Sequence, residues 1–255
     1  MATVISINNY KGGSGKTATA VNLAYVLSKD SKVLLIDLDP QADASIKFFK
    51  DFDLRKGISE VLSGDCTVFE AISHARENLD VLTSKNELNL IADQMQRDSK
   101  IAVLKKITNE VKDNYDYILI DNNPKLNIVL VNCIYCADYI VVPVNIDNNA
   151  IKGANNIIQT IMDVINNAPV DIDVDIKILM TMVSMSKGDP TNIAKEVIGA
   201  MRQAHQENVF KTYIRFQQKL AQKTSFITDY FVSDEENKLS EDYQNLANEI
   251  KEISK

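Results

Sequence analysis

Eight residues, Tyr10-Lys11-Gly12-Gly13-Ser14-Gly15-Lys16-Thr17, stand between a short apolar run, Val4 to Ile7, and a run of helix formers, Ala18 to Ser28. Strand, glycine loop and helix in that order make a P-loop. Glycines let consecutive backbone N–H groups curl around phosphate oxygens, and the helix start adds its partial positive charge. The expected ligand is therefore an anionic phosphate. Lys16 is spaced to reach the β- and γ-phosphates of a nucleotide, and the Thr17 hydroxyl to hold Mg²⁺, so a nucleotide with Mg²⁺ is expected. Backbone contacts to phosphate are expected over Gly12, Gly13, Ser14, Gly15, Lys16, Thr17 and Ala18.

Two further strands end in acids. Lys32-Val33-Leu34-Leu35-Ile36 runs unbroken into Asp37-Leu38-Asp39-Pro40-Gln41. Continuous apolar runs suit strands covered on both faces, as in parallel sheets, whose carboxyl edge is where open α/β folds bind ligands. Asp37 and Asp39 point the same way if the strand persists, and a surface turn with two solvated acids is the alternative. Tyr115 to Asp121 is another such strand, with the form of a Walker B segment, whose Asp121 orients Mg²⁺ through a water. Further strands are predicted at Leu79 to Thr83, Ala137 to Val144 and Asp175 to Met182. Pro143 marks the chain leaving the sheet.

Helical spacing predicts short helices at Ile58 to Leu62 and Val68 to Ile72, one or two over Asn86 to Asn114, and others over Asn127 to Ala137 and Ile151 to Asn166. Asp189-Pro190 marks the start of a helix ending at His205. Strands alternating with helices give the α/β class: a mostly parallel twisted sheet, helices on both faces, as one domain over residues 1–255.

The chain of 255 residues is 45% hydrophobic and 25% charged, enough for a full core, and has no run of eighteen apolar residues, so it is expected to be cytoplasmic. Its net charge of -7 argues against a uniformly basic nucleic-acid binder but leaves room for one basic face. The cysteines Cys66, Cys133 and Cys136 are too few for a disulfide framework. Cys133 and Cys136 fall in a helix without a second ligand pair, and read as small core residues. His74 and His205 read as surface or packing residues.

The ordinary motif has glycine where Tyr10 stands and lacks the extra Lys11, which alone reads as a solvated loop lysine. Lys-Gly-Gly-x-Gly-Lys-Thr, however, resembles the deviant Walker A box of the ParA/MinD superfamily of ATPases, and Asp37-Leu38-Asp39-Pro40-Gln41 resembles the second signature of the ParA family. The resemblance covers nearly the whole chain and is specific at 10–17, 35–41 and 115–121. It implies a deviant P-loop NTPase fold and a homodimer held by ATP, in which Lys11 reaches the partner's nucleotide. It also implies Thr17, Asp37 and Asp121 around the metal, and Lys11, Lys16 and Asp39 as catalytic residues, Asp39 positioning the attacking water. The family commonly follows the Walker B acid with a small residue and two prolines, whereas Asn122-Asn123-Pro124 follows here. Because the first strand begins at once, no N-terminal helix-turn-helix domain of the kind some relatives carry is expected.

Lys211, Arg215, Lys219 and Lys223 recur every four residues. On a helix they would share a face, but Val209, Phe210, Tyr213 and Ile214 suggest a strand ending near Arg215 and a helix from about Gln217. In ParA proteins a basic residue before a Ser-Phe pair, here Ser225-Phe226, binds DNA non-specifically, and Lys219 falls at that position. The resemblance thus implies non-specific double-stranded DNA and a ParB-type adaptor as partners, with a nucleoid-associated location. MinD-like relatives instead lie on membrane through a basic C-terminal helix. The helix predicted over Ser233 to Lys255 carries Glu241, Asp242, Glu249 and Glu252, which argues for docking on the protein body and no membrane. A reductase or cluster carrier, like the nitrogenase iron protein, is a third class with only Cys133 and Cys136 behind it.

Overall fold

The computed structural model describes residues 1–123, 125, 127–147, 149–226 and 231–254. Pro124 after the Walker B strand and Lys255 at the chain end, both used in the sequence reading, lie outside them. β1 (Thr3–Ile7) feeds through the glycine loop into α1 (Lys16–Leu27), and β2 (Val33–Leu38) follows. The weakly periodic stretch beyond holds α2 (Asp43–Phe48), α3 (Ile58–Ser63), α4 (Val68–Ala71) and an antiparallel pair, β3 (Ser73–Arg76) and β4 (Leu79–Leu82). Asn86 to Asn114 forms two helices, α5 (Leu88–Arg97) and α6 (Val103–Val111). The break is held from a distance by Asn132, which accepts from the Leu104 N–H at 3.1 Å and donates to the Lys100 carbonyl at 2.8 Å. Then come β5 (Tyr117–Asn122), α7 (Ile128–Cys136), β6 (Tyr139–Asn145), α8 (Ala150–Asn166) and β7 (Asp175–Val183). A two-residue ribbon, β8 (Met185–Ser186) and β9 (Asp189–Pro190), leads to α9 (Asn192–His205), β10 (Val209–Arg215), α10 (Gln218–Phe226) and α11 (Lys238–Ile253).

The main sheet has eight strands in the order β10-β7-β6-β1-β5-β2-β4-β3, parallel throughout except for the β3–β4 pair. Alternate side chains of each strand feed different cores. Ile5, Leu35, Leu119, Val141 and Leu179 pack with α1 and α11 on one face. Val4, Leu34, Ile36, Ile118 and Ile120 pack with α3 to α7 on the other, where Ile140, Val142, Ile178 and Met180 continue under α8 and α9. α7 lies between those last two clusters and is apolar nearly all round. Its Cys133 and Cys136 are free and buried, and burial pushes the Cys133 thiol up to about 12. They are core residues.

Three local expectations change. Pro190 does not open α9: it pairs with Met185 across a turn whose central residues, Lys187 (φ 52°) and Gly188 (φ 93°), are both left-handed. Thr191 caps the helix instead, its hydroxyl accepting from the Ala194 N–H. Pro143 stays inside β6, because its missing N–H faces β1 beyond Ile7, where the pairing of the two strands has ended at Ile7 opposite Val141. The final helix starts at Lys238 rather than Ser233, since Asn237 accepts from the N–H groups of Leu239 and Ser240.

α11 docks on the body, burying Leu239, Tyr243, Leu246, Ala247 and Ile250. Its acids have a second task. β10 is an edge strand, and Glu249 accepts from the N–H groups of Lys211 (2.9 Å) and Thr212 (2.6 Å) while Asp242 accepts from that of Arg215 (3.0 Å). Carboxylates thus occupy edge donors that otherwise invite pairing with another chain.

Candidate nucleotide site

The loop between Ile7 and Lys16 leaves the sheet at its centre. Gly13 (φ 71°) and Gly15 (φ 89°) are both left-handed, a conformation that a side chain would strain. α1 begins with Gly15 as its N-cap, which has no side chain to cap the first N–H groups and so leaves these donors for an anion. At the loop's other end Asn8 and Asn9 hold neighbouring strands. Asn122 donates to the Asn8 side-chain carbonyl at 2.7 Å, Asn9 donates to the Pro143 carbonyl at 2.7 Å, and Asn9 accepts from the Lys11 N–H at 2.9 Å.

The acids converge beside this loop. Asp37 and Asp121 are register partners on β2 and β5, both fully buried. Asp37 accepts from the Ser45 N–H (2.8 Å), the Ser45 hydroxyl (2.7 Å) and the Asp39 N–H (3.0 Å). Even so, burial pushes its carboxyl up to about 6. Among the described residues neither Asp121 oxygen has a partner at hydrogen-bonding geometry, although the Thr17 hydroxyl lies near. Burial, then the charge of Asp37, raises its pKa well above the usual carboxylate range, against the pull of the nearby Thr17 hydroxyl and the Lys16 ammonium. Lys16 is itself buried, which lowers its pKa, with Asp121 and Asp39 acting in the opposite direction. An orphaned, buried carboxylate facing a hydroxyl at a loop built for phosphate fits a hard divalent cation such as Mg²⁺. Thr17 and Asp121 are the groups that would hold it. Asp37 adds charge, but Ser45 and Asp39 already engage its oxygens.

Asp39 joins the cluster by a turn rather than by strand alternation, since β2 stops at Leu38 and the Asp39 side chain accepts from the Gln41 N–H at 2.9 Å. Lys11 pairs with an acid outside this cluster. Its side chain is 49% exposed and ion-pairs with Asp147 before α8, holding that carboxyl below the usual range.

The four basic residues share no single element. Lys211 and Arg215 lie on β10, Lys219 and Lys223 on α10. Arg215 grips Asp242 through two bonds of 2.7 Å, with both side chains largely buried at 15% and 6% exposure, and Lys223 pairs with Glu235. Lys219 is exposed, without a hydrogen bond or ion pair among the described residues. Arg215→Ala should therefore act on stability, lowering the unfolding free energy by roughly 3 kcal/mol by leaving Asp242 buried and unpaired. Urea denaturation measures this, and a loss under about 0.5 kcal/mol would mean that the pair is solvent-screened.

A family model described as an AAA domain matches residues 2–178. The sporulation initiation inhibitor protein Soj of Bacillus subtilis is 31% identical over 254 residues, spanning 98% of each chain. The chain belongs to the ParA/MinD superfamily. Two solved structures share its fold. A plasmid partition protein of Borrelia burgdorferi bound to AMPPNP is 24% identical, with a TM-score of 0.84 over 99% of this chain and 100% of that one. Cobyrinic acid a,c-diamide synthase of Mycobacterium smegmatis, with an ATP analog and magnesium, is 23% identical, with a TM-score of 0.85 over 100% and 96%. On this ParA/MinD fold the structure adds residues that the motif reading did not single out: Asn8 and Asn9 before the loop, and Asn145 and Thr181 on strands distant in sequence. Their signal was their place, polar groups at the carboxyl ends of apolar strands.

Proposed function

We propose that residues 1–255 form one ParA-type ATPase domain that closes as a homodimer around Mg-ATP, binds double-stranded DNA without sequence preference, and hydrolyses ATP when a ParB-type adaptor engages it. The cargo is a plasmid or chromosome. One observation carries the reading: two lysines diverge from a single glycine loop, Lys16 buried against the acids and Lys11 turned out to a half-exposed surface. A lysine reaching only its own nucleotide has no use for the second position. One reaching a partner's nucleotide needs it.

In this reading the N–H groups of Gly12 to Ala18 and the Lys16 ammonium hold the phosphates, and Thr17 and Asp121, with Asp37 behind them, hold Mg²⁺, which offsets charge on the phosphate oxygens. Asp39 orients the attacking water. Across the interface Lys11 exchanges Asp147 for phosphate. Lys219 supplies the DNA contact from α10, which follows the carboxyl end of β10, a strand parallel to β1 and so ending at the same edge of the sheet. Lys211 adds charge from β10, while Arg215 and Lys223 are tied to Asp242 and Glu235. The full-length likeness to Soj favours partition over a MinD-like role. So does α11, whose apolar face is packed in the core and so is not presented to lipid. Among the described residues no helix is long and apolar enough to cross a membrane.

The test is DNA binding with ATP, ADP and no nucleotide, beside anionic liposomes. ATP-dependent DNA binding without liposome binding is expected, and the converse would replace this reading with the MinD-like one. Lys219→Glu should weaken DNA binding, flatten the log–log salt dependence by roughly one unit and leave nucleotide affinity intact. Unchanged affinity and slope would place the DNA surface elsewhere.

A further inference from the structure

We infer that Asn145 and Thr181 are positioning residues for the nucleotide, clamping the phosphate loop by its carbonyl groups so that its N–H groups face the phosphates. The inference rests on the nucleotide-binding reading above. Asn145 ends β6 and Thr181 lies near the end of β7, paired opposite each other in the sheet. The Asn145 amide donates to the Gly13 carbonyl at 2.9 Å, and the Thr181 hydroxyl reaches the Ser14 carbonyl at 2.9 Å. The same hydroxyl lies 2.9 Å from the Asn145 side-chain oxygen, so the two side chains form one bracket against the loop.

The geometry of the peptide unit gives this bracket its consequence. In a planar trans peptide the carbonyl of one residue and the N–H of the next point in opposite directions. Drawing the Gly13 and Ser14 carbonyls toward β6 and β7 therefore turns the Ser14 and Gly15 N–H groups away from those strands, into the hollow of the loop. Glycines that can reach left-handed conformations also make the loop free to rotate those peptide planes, and the bracket removes that freedom before the ligand arrives. Thr181 is buried, so water does not compete for its hydroxyl. A Cβ on Gly15 would lie 3.8 Å from the Thr181 side chain, so the loop rests directly on it. The hydroxyl has one proton for two acceptors, which couples the two residues.

The experiment measures Mg-ADP affinity of the full chain by titration calorimetry, with thermal denaturation of the nucleotide-free protein as control. Thr181→Val keeps the shape and removes the donor; Thr181→Ser keeps the donor. Thr181→Val and Asn145→Ala are each expected to weaken Mg-ADP roughly five- to tenfold, while Thr181→Ser stays within about twofold of wild type. The double variant should fall short of the product of the singles, because both act on one bracket. Wild-type affinity in Thr181→Val overturns the clamp, as does an equal loss in Thr181→Ser, which would make the effect one of packing. If Thr181→Val lowers the denaturation temperature, the Ser variant and Asn145→Ala still decide. A wild-type chain that fails to bind Mg-ADP overturns the nucleotide reading and the clamp with it, whereas normal wild-type binding with an unaffected Thr181→Val removes the clamp alone.

Discussion

Lys16→Ala should abolish ATP turnover, with a fall of at least about 100-fold, while the protein remains folded. Lys16 is buried, with Asp121 and Asp39 near enough for their charges to act on its ammonium. In the proposed reading its charge meets negative charge gathering between the β- and γ-phosphates as their bond breaks. The cavity left by alanine opens toward two acids that repel phosphate, so ATP affinity should fall as well. Lys16→Arg is expected to rescue little, because a planar guanidinium does not fit a buried ammonium site. Single-turnover hydrolysis together with ATP titration measures both effects. Turnover and affinity within about threefold of wild type would remove this loop from the phosphate chemistry.

The glycine loop was legible in the sequence because phosphate binding imposes local spacing, and β2, β5, β6 and β7 were legible because strands buried on both faces are apolar throughout. Elements whose stability is borrowed from elsewhere were harder to read. α2 starts where Asp37, on a strand already past, accepts the Ser45 N–H and hydroxyl, and β3 is a polar edge segment held by β4. Pro190 misled because an acid before proline suits a helix start and also a ribbon end. The basic residues show the limit of one-dimensional charge patterns most clearly. Arg215 and Lys219 look alike in the sequence, yet Arg215 faces Asp242, 27 residues away, and Lys219 faces solvent. Asn145 and Thr181 meet the loop from across more than 130 residues, with no motif of their own.

Asp121→Asn should make the nucleotide-free protein more stable at neutral pH and at the same time remove Mg²⁺-dependent hydrolysis. Asp121 is buried, has no well-placed hydrogen-bond partner among the described residues, and sits opposite Asp37 in the sheet, so ionising it in the folded state is unfavourable. The sign of the pH dependence follows. A carboxyl whose pKa is raised on folding binds more protons in the native than in the unfolded chain, so stability falls as pH rises through that interval. For Asp37 the interval runs from an unfolded value of about 4 to about 6 in the folded state, and Asp121 titrates above the ordinary carboxylate range too. The nucleotide-free wild type should accordingly lose stability between about pH 4 and pH 6, and the variant, with one fewer raised carboxyl, should lose less. Asparagine leaves Lys16 without the acid whose charge supports its ammonium most, which offsets part of the gain, so a net rise of about 1 kcal/mol is expected, or ~2–4 °C in Tm for a chain of this size. Hydrolysis should fall at least about 100-fold, because a neutral amide is a poor ligand for a hard dication. Thermal denaturation from pH 4.5 to 8, paired with hydrolysis across a magnesium titration, provides the test. A variant less stable than wild type at pH 7.5 would mean that the Asp121 carboxylate stabilises the fold, and retained magnesium-dependent turnover would move the metal to other ligands.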